Sequence, residues 1–213
     1  MTVSVTVIDY GIGNLYSVSR ALEHVGGDVV LSADPSVIEN SERLILPGVG
    51  AFEDGMGGLR DRGLIEPIKR FAAKGSPLLG VCLGMQMFAT ASEEFGEHKG
   101  LGLIAGKVVP VPRTTAAGER HKIPHIAWGA LSPSAGAEWK DTFLEDTSPG
   151  TAAYLVHSFH LIPDDPAHLL ADCVYGNHRL TAAVRAGKVF GAQFHPEKSG
   201  AAGLQMLAAF LRL

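Results

Sequence analysis

Leu78–Gln86 reads LLGVCLGMQ, an apolar run that ends on a cysteine set between two glycines. The run has the length and composition of a strand buried on both faces, and the residues after it, Met85–Thr90, have helical spacing. A strand that turns directly into a helix is the recurring joint of a parallel α/β sheet. A residue mounted on so sharp a turn sits in a strained backbone conformation where flanking side chains would collide. Gly80 and Gly84 stand two positions before and two after Cys82 and relieve this. The pattern is the cysteine counterpart of the Gly-x-Ser-x-Gly elbow that carries a nucleophile. Two readings of Cys82 follow. In one it is a nucleophile, its thiolate favoured by the helix N-terminus, with the Leu83 N–H aimed at a developing oxyanion. In the other it is a small buried hydrophobe, as free cysteines usually are.

Outward from this joint, short β-branched runs alternate with helical patterns. VSVTVIDY (Val3–Tyr10) precedes a helical stretch over Leu15–Val25, DVVLSA and RLILPG follow, and Leu64–Ala73 is helical again. This alternation predicts βαβ units: an α/β fold with an open, mostly parallel sheet and helices on both faces. From Leu101 the spacing tightens into strand candidates GKVVPV, AAYLVHSF, LLADCVY, LTAAVRAG and KVFGAQFH, expected to extend or flank the same sheet as additional antiparallel strands in the C-terminal half. Leu204, Leu207, Ala208 and Leu211 fall at i, i+3, i+4 and i+7, so the last segment reads as a helix closing over the core. Only Ser132–Gly150 reads as a soft loop. No repeat or linker divides the chain, and residues 1–213 are expected to form a single domain.

Composition narrows the function classes. The 213 residues are 46% hydrophobic with a net charge of −4, and the mean hydropathy is +0.16. No block of like charge offers a footprint for nucleic acid or an anionic membrane. The start has no cationic leader, no window approaches the roughly 18 apolar residues of a membrane span, and the two cysteines, Cys82 and Cys173, form neither a disulfide framework nor a metal cluster. A cytoplasmic protein is expected.

A thiolate needs a base, and the base an orienting group. GAQFHPEKS places His195 after a strand-like run and Glu197 two residues on. In an extended segment, which Pro196 favours at His195, both side chains project to the same side, so Glu197 could hold one imidazole nitrogen while the other faces the thiol. A surface histidine beside a salt-bridging glutamate is the plain alternative. In LILPGVGAF, the turn Gly48, Val49, Gly50 either is a simple β-turn or presents N–H groups as the second half of an oxyanion hole.

GVCLGMQ, QFHPE and PGVGAF together resemble the class I glutamine amidotransferases, whose Cys-His-Glu triad hydrolyses the side-chain amide of glutamine. IDYGIGNLYSV, YLVHSF and HPEKSG bring the resemblance closer to those members that serve as the glutaminase subunit of a synthase in histidine biosynthesis. It covers essentially the whole chain and implies a flavodoxin-like sheet, a triad of Cys82, His195 and Glu197, and an oxyanion hole from Gly48, Val49, Gly50 and Leu83. It also implies a glutamine site built from Gln86, His157, Ser158 and Phe159, and a partner interface including Asn14, Trp128 and Lys198. The implied partner is a cyclase subunit with a (β/α)8 barrel, forming a heterodimer, which takes the ammonia and makes imidazole glycerol phosphate and aminoimidazole carboxamide ribotide. No cofactor and no metal are implied. One stretch departs from the family's usual Pro-His-x-Gly-Trp-Asn: PHIAWGA has Ala127 for the glycine and Gly129 for the asparagine. A paralogous glutaminase subunit feeding a different synthase, or a stand-alone cysteine hydrolase, are the alternative readings.

Other motifs carry less. DYGIGN has Tyr16 where a dinucleotide-binding fingerprint needs its third glycine, so Asn14 reads as a helix N-cap or, by resemblance, an interface contact. HKIPH has metal-like spacing, but Pro124 opposes a helix, so His121 and His125 are expected to be loop histidines. Cys173 is expected in the core.

Overall fold

The computed structural model describes residues 3–213. In chain order the elements are β1 (Val3–Ile8), α1 (Leu15–His24), β2 (Gly27–Ser32), α2 (Pro35–Glu39), β3 (Leu44–Leu46), α3 (Phe52–Asp61), α4 (Ile65–Ala73), β4 (Leu78–Val81) and α5 (Leu83–Gln86). Then come β5 (Ala91–Ser92), β6 (His98–Lys99), β7 (Gly106–Pro110), β8 (His125–Ala130), β9 (Ser132–Pro133), β10 (Ala152–His157), β11 (Phe159–Pro163), β12 (Leu169–Tyr175), β13 (His178–Ala186), β14 (Val189–Ala192) and α6 (Gly200–Arg212). The main sheet has the order β2-β1-β3-β4-β14-β13-β12-β9. Its pairings from β2 to β14 are parallel and the rest antiparallel.

Alternation along the parallel strands sends side chains into two cores, as a sheet covered on both faces requires. Val5, Val7, Ile45, Leu79 and Val81 meet Leu22 of α1 and Phe210 and Leu211 of α6. Ile8, Leu44, Leu46 and Leu78 meet Leu59 of α3 and Ile68 and Phe71 of α4. Among the described residues no helix is long and apolar enough to cross a membrane.

The structure corrects several expectations. The helix after Cys82 starts two residues earlier than its spacing predicts and is a single turn, Leu83–Gln86, with Gly84 held against Leu46 of β3 and Met85 against Gly191 of β14. AAYLVHSF is two strands: the chain bends at Ser158, so β10 pairs with β8 and β11 with β7. The strands β7, β10 and β11 therefore belong to two small sheets beside the main one. Nor is Ser132–Gly150 soft. Trp139 donates to the Leu170 carbonyl at 3.0 Å, and Phe143 packs edge-on to Phe190. The sequence reading also passes over α3, since three glycines lower its helical propensity. Two of them serve packing: a Cβ at Gly58 would press on the Tyr10 carbonyl, and one at Gly55 on Met87 Sδ.

Gly84 is the tightest of these contacts: a Cβ there would overlap the Leu46 carbonyl oxygen, a backbone atom of β3. Gly84→Ala is therefore expected to lower the unfolding free energy by about 3 kcal/mol or more. Gly57→Ala, in α3 with open space around it, should be neutral or raise stability by up to about 1 kcal/mol. Urea unfolding of both variants checks this; equal midpoints would refute it.

Candidate active site

Cys82 adopts φ 54° and ψ −109° between β4 and α5, a conformation that only a tightly packed surround sustains. Its N–H donates to the Ala192 carbonyl at 2.7 Å, fastening the elbow to the end of β14. At Gly80 a Cβ would meet Phe88 Cε2 at 2.6 Å and the Gly84 carbonyl carbon at 2.7 Å. Both elbow glycines thus do what their spacing predicts. Among the described residues the N–H groups of Leu83, Val49 and Gly50 have no hydrogen-bond acceptor, which leaves them available to an oxyanion. With only one helical turn after it, the elbow gains little from a helix dipole.

Beyond β14 the chain crosses to β10. His195 N–H donates to the Tyr154 carbonyl at 2.9 Å, and the Ser199 hydroxyl joins the His195 carbonyl at 2.7 Å to the Tyr154 N–H at 3.0 Å. Pro196–Lys198 then forms a 3-10 turn, so Glu197 is curled under His195 rather than extended beside it as expected. The pair forms all the same: Nδ1 of His195 lies 2.8 Å from Glu197 Oε1, with both side chains almost wholly inaccessible. Nε2 of His195 is buried without a hydrogen-bond partner. Burial alone would lower the imidazole pKa; Cys82 and Glu197 outweigh it and raise it to about 9. The thiol and imidazole are thus close enough to influence each other without a hydrogen bond of regular geometry between them.

Cys82 and His195 open on a cavity of about 330 Å³ that Val49, Gly50, Leu83, Gln86, His157, Ser158, Phe159 and Lys198 also line. Gly48 stands behind it, where a Cβ would strike the Tyr10 hydroxyl. Glu197 backs His195 from outside the cavity. Asn14 lies away from it and caps α1, its Oδ1 accepting from the Ser17 N–H at 3.4 Å. Trp128 is 57% exposed and stacks edge-on to Tyr154, whose ring Lys198 Nζ overlies at 6.0 Å.

Four residues that the sequence reading missed join the site. Gln193 is fully buried, and its amide lies 3.8 Å from the Cys82 sulfur. Its Oε1 accepts from Gln86 Nε2 at 3.0 Å, and Gln86 also donates to the Phe159 carbonyl at 2.9 Å. The amide nitrogen of Gln86 is therefore committed to the protein, and the two glutamines join the Phe159 backbone to the thiol. Glu94 lines the cavity while Oε2 accepts from Phe52 N–H at 2.7 Å; burial raises its pKa. Tyr10 donates to the Pro47 carbonyl at 2.7 Å, holding the Gly48–Gly50 turn. His125 is not a loop histidine: it is buried in β8, with Nδ1 3.0 Å from His157 Nε2. His157 Nδ1 faces the Phe159 carbonyl at 2.9 Å, and burial lowers its pKa to about 3. It is neutral, and its tautomer is set by that carbonyl. For Gln193 alone, two residues before His195 in the stretch that leaves β14, was a spacing signal present.

Residues 6–213 match the family Glutamine amidotransferase class-I. The chain is 49% identical over 211 residues to imidazole glycerol phosphate synthase subunit HisH 1 of Legionella pneumophila, covering 99% of both. It is 43% identical to the HisH subunit of Geobacter sulfurreducens, covering 97% of each. Among solved structures, PurLQS from Thermotoga maritima superposes with a TM-score of 0.73 at 21% identity, over 100% of this chain and 99% of that one. A glutamine amidotransferase crystal structure gives 0.72 at 19% identity, over 98% and 99%.

Because the His195 value lies above its ordinary 6.5, its protonation stabilises the fold fully below that pH, and the contribution disappears as pH rises through about 9. Cys82→Ala removes one of the two raising partners, so its His195 should titrate at a lower pH by NMR, and its stability should fall less between about pH 7 and about pH 9.5 than that of the parent. An unchanged His195 titration in the variant would refute the coupling.

Proposed function

We propose, for a chain that belongs to the class I glutamine amidotransferases, that it hydrolyses glutamine to glutamate and ammonia with Cys82, His195 and Glu197 and delivers the ammonia to a cyclase subunit in histidine biosynthesis. The observation that carries the reading is the buried His195–Glu197 pair, its free Nε2 turned toward a strained cysteine at the floor of one cavity. The near-full-length likeness to HisH subunits supports the pathway. We read residues 1–213 as one glutaminase domain working in the cytoplasm.

The chemistry follows from the groups. The Cys82 thiolate attacks the glutamine Cδ, and the oxyanion is held by the N–H of Leu83 and one from the Gly48–Gly50 turn. The His195 imidazolium, stabilised by Glu197, donates its proton to the nitrogen as the C–N bond breaks and ammonia leaves. Water then attacks the thioester, giving its proton to neutral His195, and the C–S bond breaks to release glutamate and restore the thiolate. Gln193 positions the sulfur, and Gln86 fixes Gln193. The carboxylate of Glu94, in the same cavity, suits the α-ammonium of the substrate; Ser158 and Phe159 also line it.

Ammonia set free in water would be protonated, so an acceptor is required against this face. Val49, Ile126 and Trp128 are exposed around it, with Tyr154 and Lys198 beside them. Such apolar exposure fits a docking face for a (β/α)8 cyclase in a heterodimer. Gly129 backs onto Leu155, where a Cβ would lie 2.6 Å from Leu155 Cδ1, so no larger side chain fits there without a shift. The paralogue reading, ammonia for another synthase, rests on this altered stretch.

Glutaminase turnover should rise at least about tenfold when a histidine-pathway cyclase and its ribotide ligand are added, and vanish in Cys82→Ala; cyclase-independent turnover would refute the partner. Glu94→Gln keeps an acceptor for Phe52 N–H and should raise KM about tenfold or more with kcat little changed. Unchanged KM would remove Glu94 from the substrate site.

A further inference from the structure

Behind β11 lies a second cavity, of about 630 Å³, that the glutaminase chemistry does not use. Successive residues of a strand face opposite sides. Phe159 therefore faces the Cys82 cavity, and His160 faces this one. Its volume is within the range of small-molecule sites.

The polar groups here are unusual for a surface groove. His160 is 6% exposed, and its Nδ1 accepts from the Thr181 N–H at 3.4 Å. Nε2 therefore carries the hydrogen, and it has no protein acceptor among the described residues. Burial holds this imidazole neutral, with a pKa near 4. Ser134 is 5% exposed, and its hydroxyl is buried with no partner. A buried hydroxyl left unpaired costs about 1–3 kcal/mol, so such groups ordinarily have a partner. At the rim, Arg179 contacts Asp172 through Oδ2 alone, at 2.7 Å from Nη2 and 3.3 Å from Nε. Asp172 Oδ1 and Arg179 Nη1 make no hydrogen bond to another described residue. Pro133, Ile162 and Leu169 form the apolar wall.

We propose that this cavity binds a small zwitterion with an apolar body, the chemistry of an apolar α-amino acid. Its carboxylate meets Arg179 Nη1 and the His160 Nε2–H, its ammonium meets Asp172 Oδ1, and its side chain lies on Ile162 and Leu169. The opposed charges at one rim, rather than a single cationic anchor, select a zwitterion over a plain acid or amine. The site stands independently of the glutaminase reading, since none of its groups belongs to that cavity.

The probe is L-phenylalanine, titrated into the ¹⁵N-labelled full chain and followed by amide NMR, beside 3-phenylpropanoate and 2-phenylethylamine, which each lack one charge. The proposal expects saturable shifts at Ser134, Ala135 and Thr181, with binding at least about tenfold weaker for either analogue and for Arg179→Met. Should Arg179→Met lose the native amide spectrum, Asp172→Asn serves the same comparison. The proposal is overturned by no saturable shift up to about 50 mM, by shifts confined to the Cys82 cavity, or by equal binding of the singly charged analogues.

Discussion

The conformation of Cys82 is the constraint on which the rest of the structure depends. A side chain held at φ 54° survives only where neighbours leave the backbone no other path. Here the neighbours are the ends of β3 and β14: the Leu46 carbonyl over Gly84, the Ala192 carbonyl accepting from Cys82, and Met85 against Gly191. These contacts exist because β4 is central, with β3 and β14 parallel to it on either side. The large sheet with two cores therefore acts as a clamp on one residue. Glycine is required at 80 and 84 because backbones converge there, and at 191 because the Met85 and Val184 side chains already fill the space.

The second dependence is electrostatic. His195 is nearly sealed from water, which by itself disfavours its charge, yet Glu197 below and Cys82 above more than reverse the effect. The imidazolium is thus already stabilised in the form that the proposed proton donation to the leaving nitrogen calls for. His157 is the contrasting case. It is equally buried but has a carbonyl and the imidazole of His125 for partners, so it stays neutral and acts as a hydrogen-bonding strut. Two histidines lining one cavity differ in charge because only one of them has the Cys82 thiol and a carboxylate beside it.

Much of the site was legible because its motifs are local. GVCLG and HPE are each a few residues long, and the reasons for their composition, crowding at a turn and a base with its orienter, act over that distance. What escaped was non-local. Glu94 reaches the cavity from a loop after β5, and its sequence neighbourhood, SEEFGE, looks like an ordinary acidic turn. His125 became a buried partner of His157 only through the pairing of β8 with β10. The glycine-rich α3 hid behind low propensity, since its helix is held by packing against Tyr10 and Met87.

By itself the sequence determined the parallel α/β core, the elbow at Cys82 and the pairing of His195 with Glu197, because apolar periodicity and short-range sterics encode them directly. Only the tertiary structure decided that the 3-10 turn brings Glu197 under His195, and that Gln193 reaches the sulfur with Gln86 fixing it. It also decided that the bend at Ser158 divides one apolar run between two sheets, setting Phe159 and His160 on opposite cavities. These depend on which strands become neighbours, and that is settled by burial summed over the whole chain rather than by any one stretch of it.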